Sequence, residues 1–136
     1  MVEAHVEIRK RPGRPVARLD RAVAGLVYAS VVLGVLFLYV LSGTPGVPGF
    51  LFPSILVGEL VWVACAVAVY RGARWAPYMA VVLAVVTLGV SLPQPEHYGF
   101  AQSGQVAAFL IFAGGSALQF ALIAAVALRA YWARRP

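Results

Sequence analysis

Apolar residues run in long unbroken stretches along this chain, and polar residues collect in the gaps between them. Ala22 to Leu41 reads AVAGLVYASVVLGVLFLYVL, 20 residues without a charge. Three further apolar runs cover about 50–70, 76–92 and 106–128. A helix needs about 20 apolar residues to cross the hydrocarbon core of a bilayer. The pattern therefore predicts four transmembrane helices, with the third near the lower limit and so expected to stand nearly upright or to extend outward.

The gaps agree with this division. Ser42 to Pro48 reads SGTPGVP and is rich in turn formers, Arg71 to Trp75 reads RGARW, a tight polar turn, and Pro93 to Gln105 reads PQPEHYGFAQSGQ, the loop with most polar content. Pro53 and Pro77 fall in the first turns of their helices, where the N–H that proline lacks has no intrahelical partner to lose. A weak echo links the two halves. Gly49-Phe50 and Gly99-Phe100 each precede an even-numbered span, and those spans end in RGARWAP and RAYWARRP. Two antiparallel helical hairpins are the expected arrangement.

Composition places the chain in a membrane. Of its 136 residues, 62% are hydrophobic and 12% charged, against roughly 45–50% and about 25% in ordinary globular domains. So few polar groups cannot cover the surface of a soluble fold. The net charge of +6 raises nucleic acid as a partner, but the cations sit at helix ends and form no basic-aromatic face. They read instead as topology signals and as contacts to anionic lipid headgroups. Those headgroup contacts are expected at Arg18, Arg21, Arg71, Arg74, Arg129, Arg134 and Arg135.

Charge placement also sets direction. Arg9, Lys10, Arg11, Arg14, Arg18 and Arg21 precede the first span, Arg71 and Arg74 lie between the second and third, and Arg129, Arg134 and Arg135 follow the fourth. The other two loops carry no Lys or Arg. The positive-inside rule then puts both termini and the 71–75 turn in the cytoplasm. The expected fold is all-α: an integral membrane four-helix bundle (22–128) between a basic cytoplasmic arm (1–21) and a basic tail (129–136). The first span is too long for the apolar core of a secretory signal and no small-x-small site follows it, so it is read as a retained helix. Ten arginines to one lysine suggest a GC-rich genome, and a prokaryotic plasma membrane is the expected location.

Few residues carry candidate chemistry. Glu59 lies inside the second span, about 9 Å from its outer end at ~1.5 Å per residue, and an acidic residue at such a position is costly enough to suggest a role. No cation is available at that depth, which leaves a proton, a hydrogen-bonding neighbour or a partner subunit to satisfy it. Gln119 lies mid-span in the fourth run, where a neutral amide tends to join helices. A Glu59–Gln119 contact is conceivable, although their depths differ by one to two turns. Glu96, His97 and Tyr98 form the polar cluster of the outer loop. One His and one carboxylate make a poor metal site, since zinc takes three or four protein ligands, and solvated loop is the plainer reading. Cys65 is a lone cysteine with no CxxC companion, and reads as a small hydrophobe. Small residues recur every four positions at Ala113, Ala117, Ala121 and Ala125, at Ser30 and Gly34, and at Ala64 and Ala68. Such stripes close a bundle on itself or dock another subunit.

The segment ILVGELVWVACAVAVYRG, 18 residues from Ile55, resembles the first helix of small multidrug resistance transporters, where a membrane glutamate binds substrate and protons. The likeness departs from that family in position, because the family carries its glutamate in the first of four helices and here a full helix precedes it. The resemblance implies substrate and proton binding at Glu59. The residues alone favour a non-catalytic, cofactor-free accessory subunit, held in the lipid bilayer and packed against larger membrane subunits or against itself. A homodimeric proton- or ion-coupled transporter using Glu59 is the alternative, and a lipid- or quinone-binding membrane protein is a third reading. Neither a catalytic set nor a metal site is expected.

Overall fold

The structure, a computed structural model, describes residues 14–43 and 49–135. Most of the expected basic arm, including His5, and most of the 42–48 turn segment lie outside the described residues. The described chain is helical: α1 is Arg14–Ser42, α2 Leu51–Tyr70, α3 Ala76–Ser91, α4 Pro95–Gly99 and α5 Val106–Ala133. Three of these helices are long and apolar enough to cross a membrane, over Pro15–Ser42, Phe52–Tyr70 and Val106–Ala133. The apolar helix α3 has 16 residues, about 24 Å of rise.

Boundaries differ from the sequence expectation in three places. α1 begins at Arg14, eight residues before the expected span, so the last part of the basic arm is helix. α5 continues to Ala133 and takes in the start of the expected tail. Charged residues do not stop a helix; they end only its apolar section, and hydropathy therefore underestimates helix length at both ends. The loop between α3 and α5 also contains a turn of helix, α4, started by Pro95 at its first position, where proline's fixed φ suits a helix.

The α2–α3 turn is the best-defined connection. Gly72 adopts φ +71°, its N–H donates to Val69 O at 3.0 Å, and the Ala73 N–H donates to Ala68 O at 3.0 Å. This pair of bonds is a Schellman motif, which closes the carbonyls left open at a helix C-terminus. It needs a left-handed residue, and glycine alone adopts that conformation without steric cost. That is the physical content of the short RGARW turn.

The helices pack around a narrow core. α1 lies against α5 and α2, and α3 lies against α5 and α2. The core joins Val23 and Val27 of α1, Trp62, Cys65 and Ala66 of α2, Ala80 and Ala84 of α3, and Leu122, Ala125 and Val126 of α5. All of these belong to the half of the bundle nearest the α2–α3 turn. Ala76, Ala80 and Ala84 are fully buried. Their four-residue spacing places a strip of methyl groups along α3, so the neighbouring backbones come close. The Cys65 thiol lies 3.6 Å from Ala76 O, and the expected role of Cys65 as a small hydrophobe agrees with its burial. The opposite half is open: Phe52, Leu56 and Val57 in α2, Leu36 and Tyr39 in α1 and Leu110 in α5 are all exposed.

Two sequence stripes point elsewhere than inward. Ala117 and Ala121 in α5 and Ala64 in α2 are exposed, Ala113 and Ala68 are half-buried, and only Ala125 of that set is buried. Exact four-residue spacing drifts around a helix of 3.6 residues per turn, so the inward face of α5 follows Gln119, Leu122, Ala125 and Val126 instead.

Overfilling the α3 strip should be costly. Ala80→Leu is expected to destabilise the bundle by about 1–3 kcal/mol, while Val82→Leu on the exposed face changes stability by about 0.5 kcal/mol or less. Thermal unfolding in detergent, followed by helical circular dichroism, checks the pair.

Candidate functional site

Polar side chains inside an apolar bundle must find partners within it, because no water is there to take them. Glu59, Gln119 and Ser30 are the polar residues buried among those described. They come from α2, α5 and α1 and lie just above the apolar core. Gln119 Nε2 donates to Ser30 Oγ at 3.3 Å, and Ser30 Oγ donates back to Leu26 O at 2.9 Å. The amide of α5 is thus tied through a hydroxyl to the backbone of α1.

Glu59 meets the same face of α1 one turn further along. A Cβ placed on Gly34 would overlap Glu59 Oε2 and lie 2.6 Å from Glu59 Cδ. The carboxyl therefore occupies the space that any larger residue at position 34 would fill. Ser30 and Gly34 are four residues apart, and so stack on one helix face. Glu59 and Gln119 converge on this Ser30–Gly34 stripe rather than on each other, which accounts for their difference in depth. Glu59 Oε1 and Gln119 Oε1 are buried with no hydrogen-bond partner among the described residues. An acceptor left in this state costs about 1–3 kcal/mol.

A second polar contact closes the other end. Arg129 Nε of α5 pairs with Asp20 Oδ1 of α1. Arg129, one of the expected headgroup residues, thus has a carboxylate partner within the bundle. Asp20 is a residue that sequence reasoning passes over, yet a signal existed: under the four-span assignment Asp20 and Arg129 end their spans on the same side. The Gln119–Ser30 and Arg129–Asp20 contacts lie ten residues apart on both helices. That is about 15 Å along each axis, so the two contacts fix one antiparallel register for α1 and α5. The other expected headgroup residues divide. Arg18, Arg21, Arg71, Arg74 and Arg134 are exposed. Arg135 folds over the rings of Tyr131 and Trp132, 4.4 and 5.0 Å from their centroids, a cation–π arrangement.

The Glu96–Tyr98 cluster is tied to the ends of neighbouring helices. His97 Nδ1 lies 2.8 Å from Ser91 O, the Tyr98 hydroxyl donates to Leu92 O at 2.7 Å, and the Phe112 ring packs on both His97 and Tyr98. These bonds cap the last carbonyls of α3 and hold α4 against α5. Glu96 is exposed beside them. Among the described residues no group of three or more His, Cys, Asp or Glu is placed to hold a metal ion.

No protein-family model matches the chain, and neither curated proteins nor solved structures give a significant match.

The Gly34–Glu59 approach predicts strong coupling. Gly34→Ala alone should destabilise the fold by about 1–3 kcal/mol. In Gly34→Ala/Glu59→Ala the shortened side chain removes the clash, and the coupling should reach about 1 kcal/mol or more. Unfolding of the four proteins of this double-mutant cycle in detergent checks it; additive effects would mean that the two residues do not touch.

Proposed function

We propose that this protein is a non-catalytic accessory subunit of a membrane assembly, spanning a prokaryotic plasma membrane four times with both termini in the cytoplasm. The observation that carries the reading is the outward face of α5. Gly114, Ala117, Ala121 and Ala124 are all exposed and follow one another at intervals of three or four residues, the spacing of a helix-packing seam. Small residues on an outward seam let a second helix approach to backbone distance, which is how helices associate in lipid. The open half of the bundle, with Tyr39, Val57 and Leu60 among its exposed side chains, adds further unpartnered apolar surface. Charge placement supports the orientation, because every Lys and Arg falls at one end of the four-span assignment. α3 is the shortest helix of the four, and α4 follows it, anchored by His97 and Tyr98 to the carbonyls at its end.

A specific observation favours a second reading, the homodimeric proton- or ion-coupled transporter. Glu59 Oε1 is buried without a hydrogen-bond partner among the described residues, and a carboxyl in that position can take up and release a proton or accept a ligand donor. The Gln119–Ser30 pair beside it offers neutral polar company of the kind that intramembrane proton sites use. The same acceptor is equally available to a donor on a partner helix, which is the form the accessory reading gives it.

The accessory reading predicts a stoichiometric complex with other membrane proteins after purification in mild detergent. Ala117→Ile/Ala121→Ile should remove those companions while leaving helix content unchanged. A homo-oligomer without companions, insensitive to the pair, counts against it. For the second reading, Glu59→Gln in proteoliposomes should abolish proton-coupled flux; flux equal to that of the unaltered protein removes Glu59 from any coupling role. Reporter fusions at Gly72 and Gly99 test orientation, with the cytoplasmic signal expected at Gly72 alone.

A further inference from the structure

We infer that the cleft between α1 and α2 is a binding site for one anionic phospholipid of the leaflet on the Arg71 side, with an acyl chain in the groove and the phosphate between Arg21 and Arg71. The inference rests on the membrane-spanning reading and is independent of whether partner subunits exist. The groove has a volume of about 580 Å³ and is lined by Tyr28, Val31, Val32, Val63, Ala66, Val67 and Tyr70. All but the tyrosine hydroxyls are hydrocarbon, as an acyl chain requires.

Charge complementarity names the occupant. Arg21 lies seven residues before Tyr28 and eleven before Val32. Both spacings are close to whole numbers of turns at 3.6 residues per turn, so Arg21 continues the groove-lining face of α1. Arg71, the C-cap of α2 (φ −74°, ψ −1°), lies four residues after Val67, about one turn, which puts it at the rim of the groove-lining face of α2. The Gly34–Glu59 approach sets the antiparallel register of the two helices, and counting back along it brings Arg21 and Arg71 to the same level, at one end of the groove. Both arginines are exposed, and neither has a carboxylate partner among the described residues, since the nearby Asp20 is held by Arg129. Arg21 Nε donates to Ala17 O at 3.4 Å, which leaves its terminal nitrogens, and the whole Arg71 guanidinium, without a carboxylate among the described residues; two such groups at the mouth of a hydrocarbon cleft suit a phosphate, which arginine binds in a fork. Tyr70, 82% exposed at this end, places its ring at the headgroup level, as interfacial tyrosines do. A neutral partner helix would leave both cations unmatched, and a zwitterionic lipid would meet them with its own positive group.

The test is native mass spectrometry of the detergent-solubilised full chain, titrated with phosphatidylglycerol or phosphatidylcholine. The unaltered protein should retain one phosphatidylglycerol with a preference of about tenfold or more, the scale on which two arginines act on an anionic headgroup. Arg21→Gln/Arg71→Gln should bring the two lipids close to parity. Arg134→Gln/Arg135→Gln, which removes the same charge elsewhere, should keep the preference. Val63→Trp, filling the groove from an exposed position, should weaken retention of both lipids, with circular dichroism verifying the fold of every variant. Equal loss in the two arginine pairs would show attraction to overall charge and overturn the site, as would absence of a preference in the unaltered protein. A chain that stays in solution without detergent would defeat the membrane reading itself, a failure distinct from these.

Discussion

The close approach of the Glu59 carboxyl to the backbone at Gly34 is the contact on which the arrangement of the bundle depends. Apolar side chains pack with little preference for register, since one aliphatic layer resembles the next. A buried carboxyl is different. It occupies one place, it excludes a side chain at position 34, and sliding α2 along α1 by a single turn would press it against Ser30 or Leu38 instead. Helices in lipid gain little from burying apolar surface against one another, so packing geometry and a few polar contacts select the structure. Here the selecting contacts form one thin polar layer: Glu59 against Gly34, and Gln119 against Ser30 a turn away.

Below that layer lies the tight half of the molecule. The alanine strip of α3 brings backbones together, Trp62 fills the remaining volume, and the Schellman turn at Gly72 joins α2 to α3 with no slack. Above it the helices expose their large side chains. Most of the buried apolar core thus lies on one side of the polar layer, although Tyr70, Trp75 and Tyr78 are exposed on that side too. This division bears on both functional readings. A partner helix would find apolar surface at the open end, and a proton or ligand donor approaching Glu59 would come from the same side.

Much of this was legible in the sequence, for reasons that can be stated. The helices follow from runs of apolar residues too long for any other structure in lipid, and the turns follow from proline, glycine and arginine between them. Glu59 and Gln119 stand out because their chemistry conflicts with their surroundings. The stripes were less legible. Counting every fourth alanine selected Ala117 and Ala121, which face outward, because composition alone cannot say which side of a helix has a neighbour. Asp20 is not legible locally, because its partner Arg129 lies more than a hundred positions away. In the sequence Gly34 is only a small residue near Ser30; its specific task, making room for a carboxyl, depends on how α1 and α2 are aligned. The helical ends of α1 and α5 were cut short because hydropathy registers where oil ends and helices continue past it.

Those ends have a consequence of their own. α1 begins seven residues before Arg21, which is level with the α2–α3 turn, and α5 runs beside it in fixed register. About 7 Å of paired helix therefore rises past the rest of the bundle, fastened by Asp20 and Arg129. Each strut of this projecting pair is continuous with the polar layer: α1 carries Ser30 and Gly34, and α5 carries Gln119. A push or twist applied to the protruding stem would thus be transmitted along two unbroken rods to the layer where Glu59 Oε1 and Gln119 Oε1 are buried with no hydrogen-bond partner among the described residues.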